Sequence, residues 1–186
     1  MVVRQVVREV MVALGLRPNV EDEHLPADKA SRPLTSGEIA LARSIFGNAI
    51  EYGRVRMIPR KWWPFQPRDV AMAPMGSIHF HPGSDLWSQD FACEPLHKQG
   101  LFIHELTHVW QTQTRGLFYL PLMRHPFCRY GYELREGRPF CDYGLEQQAE
   151  IVRHYFLLKN KVKVPGAPPL DQYESVLPFG KKAVTK

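Results

Sequence analysis

The 186-residue sequence predicts a single α+β domain in which a small twisted sheet packs against two long helices. A chain of this length suffices for one hydrophobic core and is short for two. Prolines interrupt most of the sequence, so long helices fit in few places. The proline-free stretches 96–120 and 140–164 are the best candidates, and short apolar alternations between the prolines predict the strands.

Composition and charge narrow the possible partners. The hydrophobic fraction of 44% and the charged fraction of 23% are those of an ordinary globular protein. The net charge of +5 suits an anionic partner, but the basic residues are scattered, which makes nucleic-acid binding the weakest alternative. No apolar run is long enough to span a membrane. The three cysteines have no CxxC spacing and predict free thiols, with a Cys128–Cys141 bridge as the less favoured alternative.

Residues 1–34 are predicted to form an N-terminal helix followed by a polar connector. Valines recur there at helical spacing, and Arg4, Arg8 and Glu9 lie among them, which is typical of an amphipathic helix rather than a signal peptide. The protein is therefore expected to be cytoplasmic on synthesis. In TSGE, Thr35 and Glu38 form a capping-box pattern that opens the next helix, which ends at Gly47.

The middle of the chain predicts strands and loops. IEYGRVRMIP is a plausible strand, and RKWWPFQPRD is a loop whose Trp62, Trp63 and Phe65 serve either packing or a binding platform. Ile78 and Phe80 alternate with histidines and predict an edge strand near residues 70–81. RYGYELREGRPF predicts a hairpin that turns near Glu136 and Gly137, and residues 162–186 predict a weakly structured C-terminal tail.

LFIHELTHVWQTQ, residues 101–113, lies in the first long helix, predicted over residues 96–115, and contains the candidate catalytic residues. On a helix, His104 and His108 lie one above the other, close enough to bind one ion, and Glu105 lies beside them. Two imidazoles and one carboxylate are the ligands of a catalytic zinc site in the HExxH pattern. The competing interpretation is a pair of exposed histidines on a surface helix, so a third ligand is needed.

The second long helix, over residues 143–161, offers that ligand. In LEQQAE, Glu146 and Glu150 lie one turn apart on the same face, and Ala149 leaves room for close helix packing. The competing interpretation is a solvated face with mutual repulsion. Beside a zinc ion, one glutamate can be the ligand while the other orients a histidine ring.

HELTH followed by ExxAE resembles the gluzincin metallopeptidases. The resemblance implies a zincin-like domain over residues 35–161 with His104, His108 and Glu146 as zinc ligands. It also implies that Glu105 assists the attack of zinc-bound water on a peptide bond. Glu150 would hydrogen-bond a ligand histidine, although these families usually have the shorter aspartate there.

The wider stretch RPLTSGEIALARSIFG…VRMIP…HELTHVWQ is similar to small bacterial Vgr-related or Rhs-related predicted metallopeptidases and to a domain of contractile injection systems. This resemblance covers roughly residues 33–158 and implies a peptide, protein or peptidoglycan stem-peptide substrate. The alternative function is a catalytically silent, metal-stabilised accessory module of a type VI secretion or injection apparatus. Either function is compatible with export by a contractile secretion system.

Several further side chains remain open at the level of sequence. His79 and His81 lie on the predicted edge strand and are either cleft residues or surface residues. His154 and three tyrosines are candidates for stabilising an oxyanion, and the sequence does not choose among them. These tyrosines are Tyr130, Tyr132 and Tyr143.

Overall fold

The computed structural model describes residues 30–123 and 128–179 of the chain. The fold is α+β, as predicted, and the predicted N-terminal helix lies outside the described residues. In chain order, the elements are β1 (Arg32–Pro33), α1 (Ser36–Phe46), β2 (Arg56–Ile58), β3 (Ile78–His79), α2 (Leu96–Arg115), α3 (Tyr119–Met123), α4 (Leu145–Lys159) and α5 (Leu170–Val176). Among the described helices, none combines the length and hydrophobicity that crossing a bilayer requires.

The sheet consists of three short strands in the order β1–β2–β3. Strand β1 is antiparallel to β2, and β2 is parallel to β3. Beyond β3, the backbones of Met72 and His79 exchange two hydrogen bonds of 2.7 and 3.0 Å in an isolated bridge. The predicted edge strand over 70–81 is therefore split in two. Pro74 has no N–H to donate and Gly76 turns the chain at a φ of +84°, so continuous pairing is lost between the two parts.

Helix α1 begins with the predicted capping box. The amide of Glu38 donates to Thr35 Oγ1 over 3.0 Å, and the amide of Thr35 donates to Glu38 Oε2 over 2.9 Å. Glu38 is fully buried, and its carboxylate also accepts two 2.8 Å bonds from Arg32 and one from the amide of Phe91. The cap thus ties α1 to β1 and to the turn that precedes α2.

Helices α2 and α4 pack against each other and form the scaffold of the site. Helix α2 has the predicted bounds, and α4 is shorter than predicted by two residues at each end. Close approach depends on Gly100, where a Cβ atom would lie only 3.3 Å from Leu157 Cδ2, and on the fully buried Ala149. Both helices contribute fully buried apolar side chains to the core, namely Phe102, Ile103, Leu106, Val109, Ile151, Val152 and Phe156.

The segment after α4 differs from the sequence prediction of a weakly structured tail. Helix α5 forms there, and Tyr173 and Leu177 are buried in the core. Tyr173 lies within α5 and Leu177 directly follows its last residue, and such short helices gain most of their stability from tertiary packing. The end of the tail, residues 180–186, lies outside the described residues.

The predicted hairpin is present only as a turn. Gly137 has a φ of +73°, and the amide of Arg138 donates to the carbonyl of Arg135 over 3.2 Å. No strand flanks this turn within residues 128–139, because a two-stranded hairpin is marginal without a third strand or a covering layer. All three cysteines are free, so the prediction of free thiols is confirmed and the Cys128–Cys141 bridge is absent.

Candidate metal centre

Three buried side chains from two helices converge on one point. His104 and His108 lie one turn apart on α2, and their Nε2 atoms are 3.2 Å apart. Glu146, in the first turn of α4, places Oε2 at 3.2 Å from His108 Nε2 and 3.4 Å from His104 Nε2. The three side chains are no more than 7% exposed. This group can hold a metal ion.

The spacing of these donor atoms fits a tetrahedral ion. Zinc bonds of roughly 2.0–2.1 Å at tetrahedral angles separate neighbouring ligand atoms by about 3.3 Å. The observed separations of 3.2–3.4 Å have that size. Two imidazole nitrogens and one carboxylate oxygen are also a donor set that zinc accepts, and they leave a fourth position for another ligand.

The outward-facing nitrogens of both histidines have oxygen partners. His104 Nδ1 lies 2.8 Å from Glu150 Oε1, and His108 Nδ1 lies 2.8 Å from Gln111 Oε1. Both partners accept hydrogen bonds, so each Nδ1 carries the proton. Each Nε2 then directs its lone pair toward the point on which the three metal-donor atoms converge. Glu146 therefore lies where it could be the third metal ligand, and Glu150 lies where it accepts a hydrogen bond from the ring of His104.

The carboxylates make this region attractive to positive charge. Burial by itself lowers the pKa of His104, but hydrogen bonds to Glu146 and Glu150 outweigh it and raise that pKa to about 9. Burial raises the pKa of Glu150, and its bonds to His104 and His154 reverse the effect and hold the pKa well below its usual value. A metal ion at this centre competes with protons for the same nitrogens.

Gln111 is a site residue that the sequence reasoning missed. Besides accepting from His108, it donates through Nε2 to the carbonyl of Leu145 over 3.0 Å and to Gln148 Oε1 over 2.9 Å. Gln148 in turn donates to the carbonyl of Tyr143 over 2.7 Å. The amide of Gln111 thus fixes the His108 ring and joins it to the start of α4. Its position one turn after His108 was the available clue.

Gln111→Ala is expected to weaken metal binding by about 10–100-fold. It should also lower the free energy of unfolding by about 1–3 kcal/mol, because buried partners lose their hydrogen bonds. Both quantities can be measured by chelator competition and by denaturant titration. Gln113→Ala is the matched control, since Gln113 lies on the same helix but bonds only to the backbone of Glu51. Equal losses of metal affinity in the two variants would contradict the role assigned to Gln111.

Glu105 lies in the wall of a cavity of about 300 Å³ that is also lined by His104, one of the three donors. The side chain is 5% exposed, and its Oε2 accepts no hydrogen bond from the described residues. A buried carboxylate oxygen without a donor is costly unless it meets a proton or a polar group in the cavity. The cavity is lined by His104, Glu105 and Glu150 together with Asp69, Val70, Ala71, Leu101, Tyr130 and Arg153.

Within the part of the chain that the structure describes, neither histidine of the predicted edge strand lines this cavity. His79 Nδ1 lies 3.2 Å from the carbonyl of Arg60, its ring packs edge-on against Trp62, and burial lowers its pKa to about 4. His81 accepts a 3.0 Å bond from the amide of Gly83 at the surface. The contacts of both histidines are therefore with neighbouring parts of the fold and not with the cavity beside Glu105.

The four candidates for an oxyanion donor are separated by the structure. Tyr143 is buried, and its hydroxyl accepts from the amide of Arg135. The Tyr132 hydroxyl bonds to His154 and to Tyr173, and His154 Nε2 is turned toward Glu150 at 3.3 Å. Only Tyr130 of the four lines the cavity beside Glu105.

Tyr130 is half-exposed, and its ring is nearly parallel to that of His104, with 6.4 Å between their centroids. Of these four side chains, it is the one that lines the cavity beside Glu105, whereas Tyr132 and Tyr143 line a separate cavity together with Glu146.

The chain is similar to known proteins of a secretion apparatus. The chain is 43% identical over 144 residues to the type VI secretion system spike protein VgrG2b of Pseudomonas aeruginosa, a match that covers 73% of this chain. The solved structure of the effector domain of VgrG2b is 37% identical, with a TM-score of 0.63, and the match covers 84% of this chain and 87% of that domain. The chain belongs to the VgrG2b effector-domain family.

The family relation concerns a limited part of the spike protein. The chain spans 14% of the length of VgrG2b, and no family model matches it. The predicted relation to Vgr proteins and type VI secretion is confirmed.

Proposed function

We propose that this member of the VgrG2b effector family is a zinc-dependent hydrolase that cleaves a peptide bond in a zincin-like site. The observation that carries the proposal is the triangle of His104, His108 and Glu146, whose donor atoms have tetrahedral spacing. Glu105 lies in the adjacent cavity with a buried oxygen that lacks a donor from the described residues. A solely structural ion would require the three ligands but not this carboxylate.

In the proposed hydrolysis, each residue near the metal centre has a separate role. A bound zinc ion supplies Lewis acidity, which activates water and polarises a carbonyl group. Glu105 accepts the proton of the attacking water at its carboxylate and then delivers it to the leaving nitrogen. Glu150 and Gln111 keep both imidazoles in the tautomer that binds the ion. Tyr130, at the rim of the cavity, is placed to donate to a developing oxyanion.

The cavity wall favours an extended peptide as the substrate. Val70 and Ala71 line the cavity and directly precede Met72, which is paired with His79. A peptide strand can add to such a backbone edge by main-chain hydrogen bonds. A protein or a peptidoglycan stem peptide, reached after export by the type VI apparatus, would supply a chain of this kind.

A second candidate function is a metal-stabilised accessory module without turnover. The comparisons favour this function directly, because they concern a component of a secretion apparatus and name no reaction. The site geometry is also compatible with it, since an ion held by His104, His108 and Glu146 would brace α2 against α4. The two functions differ in what they require of Glu105.

The purified protein is expected to contain about one zinc ion per chain and to lose stability when the ion is removed. Binding at 1,000 times Kd contributes about 4 kcal/mol, which corresponds to a fall in Tm on the order of 10 °C upon chelation. Elemental analysis and thermal melting with and without chelator measure both effects. The melting of His108→Ala should not respond to chelator. Absence of stoichiometric zinc, even after zinc is added back, would contradict the proposal.

A further inference from the structure

The loop of residues 60–68, here called the aromatic loop, displays two rings at the surface. Phe65 is 76% exposed and Trp63 is 40% exposed. Their ring centroids are 5.5 Å apart with an interplanar angle of 72°. A pair of exposed aromatic rings leaves apolar surface in contact with water, and exposed apolar patches mark sites of interaction with a partner or a membrane. The candidate metal centre makes no use of either ring.

A buried amide holds the aromatic loop in one conformation. Gln66 is 3% exposed, and its Oε1 accepts from the amide of Trp62 over 2.8 Å. Its Nε2 donates to the carbonyl of Val70 over 2.8 Å and to that of His79 over 3.2 Å. Because the backbone is already ordered, a partner that covers the two rings does not have to pay for ordering the loop.

Two basic side chains of the aromatic loop, Lys61 and Arg68, flank the two rings in the sequence. Lys61 Nζ donates to the carbonyl of Pro64, and Arg68 donates twice to the carbonyl of Gly83. These acceptors are neutral, and within the described residues neither cation forms an ion pair. Partial desolvation and the charges of Lys61 and Arg68 together lower the pKa of His81, which indicates that both cations lie close to it.

We propose that the aromatic loop docks the domain on the surface of an anionic phospholipid bilayer. Trp63 and Phe65 enter the headgroup region, where aromatic side chains are favoured, while Lys61 and Arg68 face the lipid phosphates. The edge-to-face pair forms a wedge rather than the flat platform that a sugar ring would stack on. Charge complementarity and the shape of the pair therefore both favour a lipid surface.

Docking in this way would bring the cavity near the membrane. Asp69 and Val70 follow the aromatic loop directly and line the same cavity as Glu105. Substrates close to a bilayer would then be reached more easily than substrates free in solution. The docking itself does not depend on a bound metal or on hydrolysis, so its test can fail or succeed independently of the proposed function.

Sedimentation with vesicles tests the proposal on the full chain. Binding is expected to vesicles that contain phosphatidylglycerol and not to vesicles of phosphatidylcholine alone, and it should weaken with rising salt. The double substitution Trp63→Ser with Phe65→Ser should weaken binding by at least about 10-fold, and Lys61→Gln by about 5-fold. Because Lys61, Trp63 and Phe65 are exposed, these variants should melt at the same temperature as the wild type, and melting curves check that they are folded.

Leu122→Ser is the matched control, because Leu122 is 81% exposed but lies on α3. This variant should bind like the wild type. If Leu122→Ser lost as much binding as the double variant, the proposal would be overturned, since the binding would then reflect nonspecific hydrophobic adsorption. Vesicle binding that does not depend on the anionic lipid would also overturn the proposal. So would a protein that binds peptidoglycan or nucleic acid through Trp63 and Phe65 and does not bind vesicles.

Lipids brominated on their acyl chains locate the contact directly. Vesicles containing them should quench tryptophan fluorescence of the wild type. Trp63→Phe should retain vesicle binding while losing most of that quenching, because Trp62, the other tryptophan of the loop, packs edge-on against His79 instead of beside Phe65. Quenching that is unchanged in Trp63→Phe would place the contact elsewhere and overturn the proposal.

Discussion

Replacing Glu105 by glutamine is expected to abolish hydrolysis, by at least about 100-fold, while zinc content and melting temperature stay unchanged. The amide has nearly the shape of the carboxylate but cannot accept the proton of the attacking water. Glu105 is not one of the three side chains whose donor atoms converge, so the ion should remain bound. The measurement is the rate of peptide cleavage at saturating substrate, together with zinc content and thermal melting of the same sample.

Asp69→Asn is the matched control for Glu105→Gln. Asp69 lines the same cavity and also carries a carboxylate, but it belongs to the segment before β3 and not to the helices that bear the three donors. Its substitution should leave most of the activity. A Glu105→Gln variant that cleaves as fast as the wild type would show that the assigned mechanism is wrong. A wild type that retains zinc, binds its partner and cleaves no peptide would instead support the accessory module.

Replacing Glu146 by alanine is expected to weaken zinc binding by more than about 100-fold, beyond the 10–100-fold loss expected for Glu150→Ala. Glu146 Oε2 lies 3.2 and 3.4 Å from the two Nε2 atoms, and its loss removes one of three ligands. Glu150 Oε1 lies 2.8 Å from His104 Nδ1, on the far side of the ring, and its loss removes an orienting hydrogen bond.

Chelator competition at fixed pH measures the zinc affinity of both variants. Glu133→Ala serves as the control, because Glu133 pairs with Arg135 at the surface. Loss of zinc in Glu150→Ala with retention in Glu146→Ala would mean that the two glutamates have the opposite roles. Equal affinities in all three variants would mean that neither carboxylate contributes to the centre.

The family relation gives these experiments a biological frame. Cleavage that depends on Glu105 would support the hydrolase function proposed for this relative of the VgrG2b effector domain. A stable zinc protein without turnover would support the accessory module. Vesicle binding through the aromatic loop would be compatible with either result, because it uses different side chains.

Local sequence patterns determined the parts of the protein that lie within single elements. The bounds of α2 follow from the periodicity between Pro95 and Gly116, and the capping box of α1 follows from the spacing of Thr35 and Glu38. The stacking of His104 over His108 also follows from helix geometry alone. These features depend on residues within a few positions of one another, where backbone geometry leaves few alternatives.

Only the tertiary structure decided how separate elements meet. Glu146 and Glu150 are equivalent by helical spacing, and the crossing of α2 and α4 at Gly100 is what directs one to Nε2 and the other to Nδ1. The same crossing brings Gln111 to Leu145, 34 residues away. Periodicity determines the face of a helix on which a side chain lies, but contacts across such distances depend on how all the elements pack together.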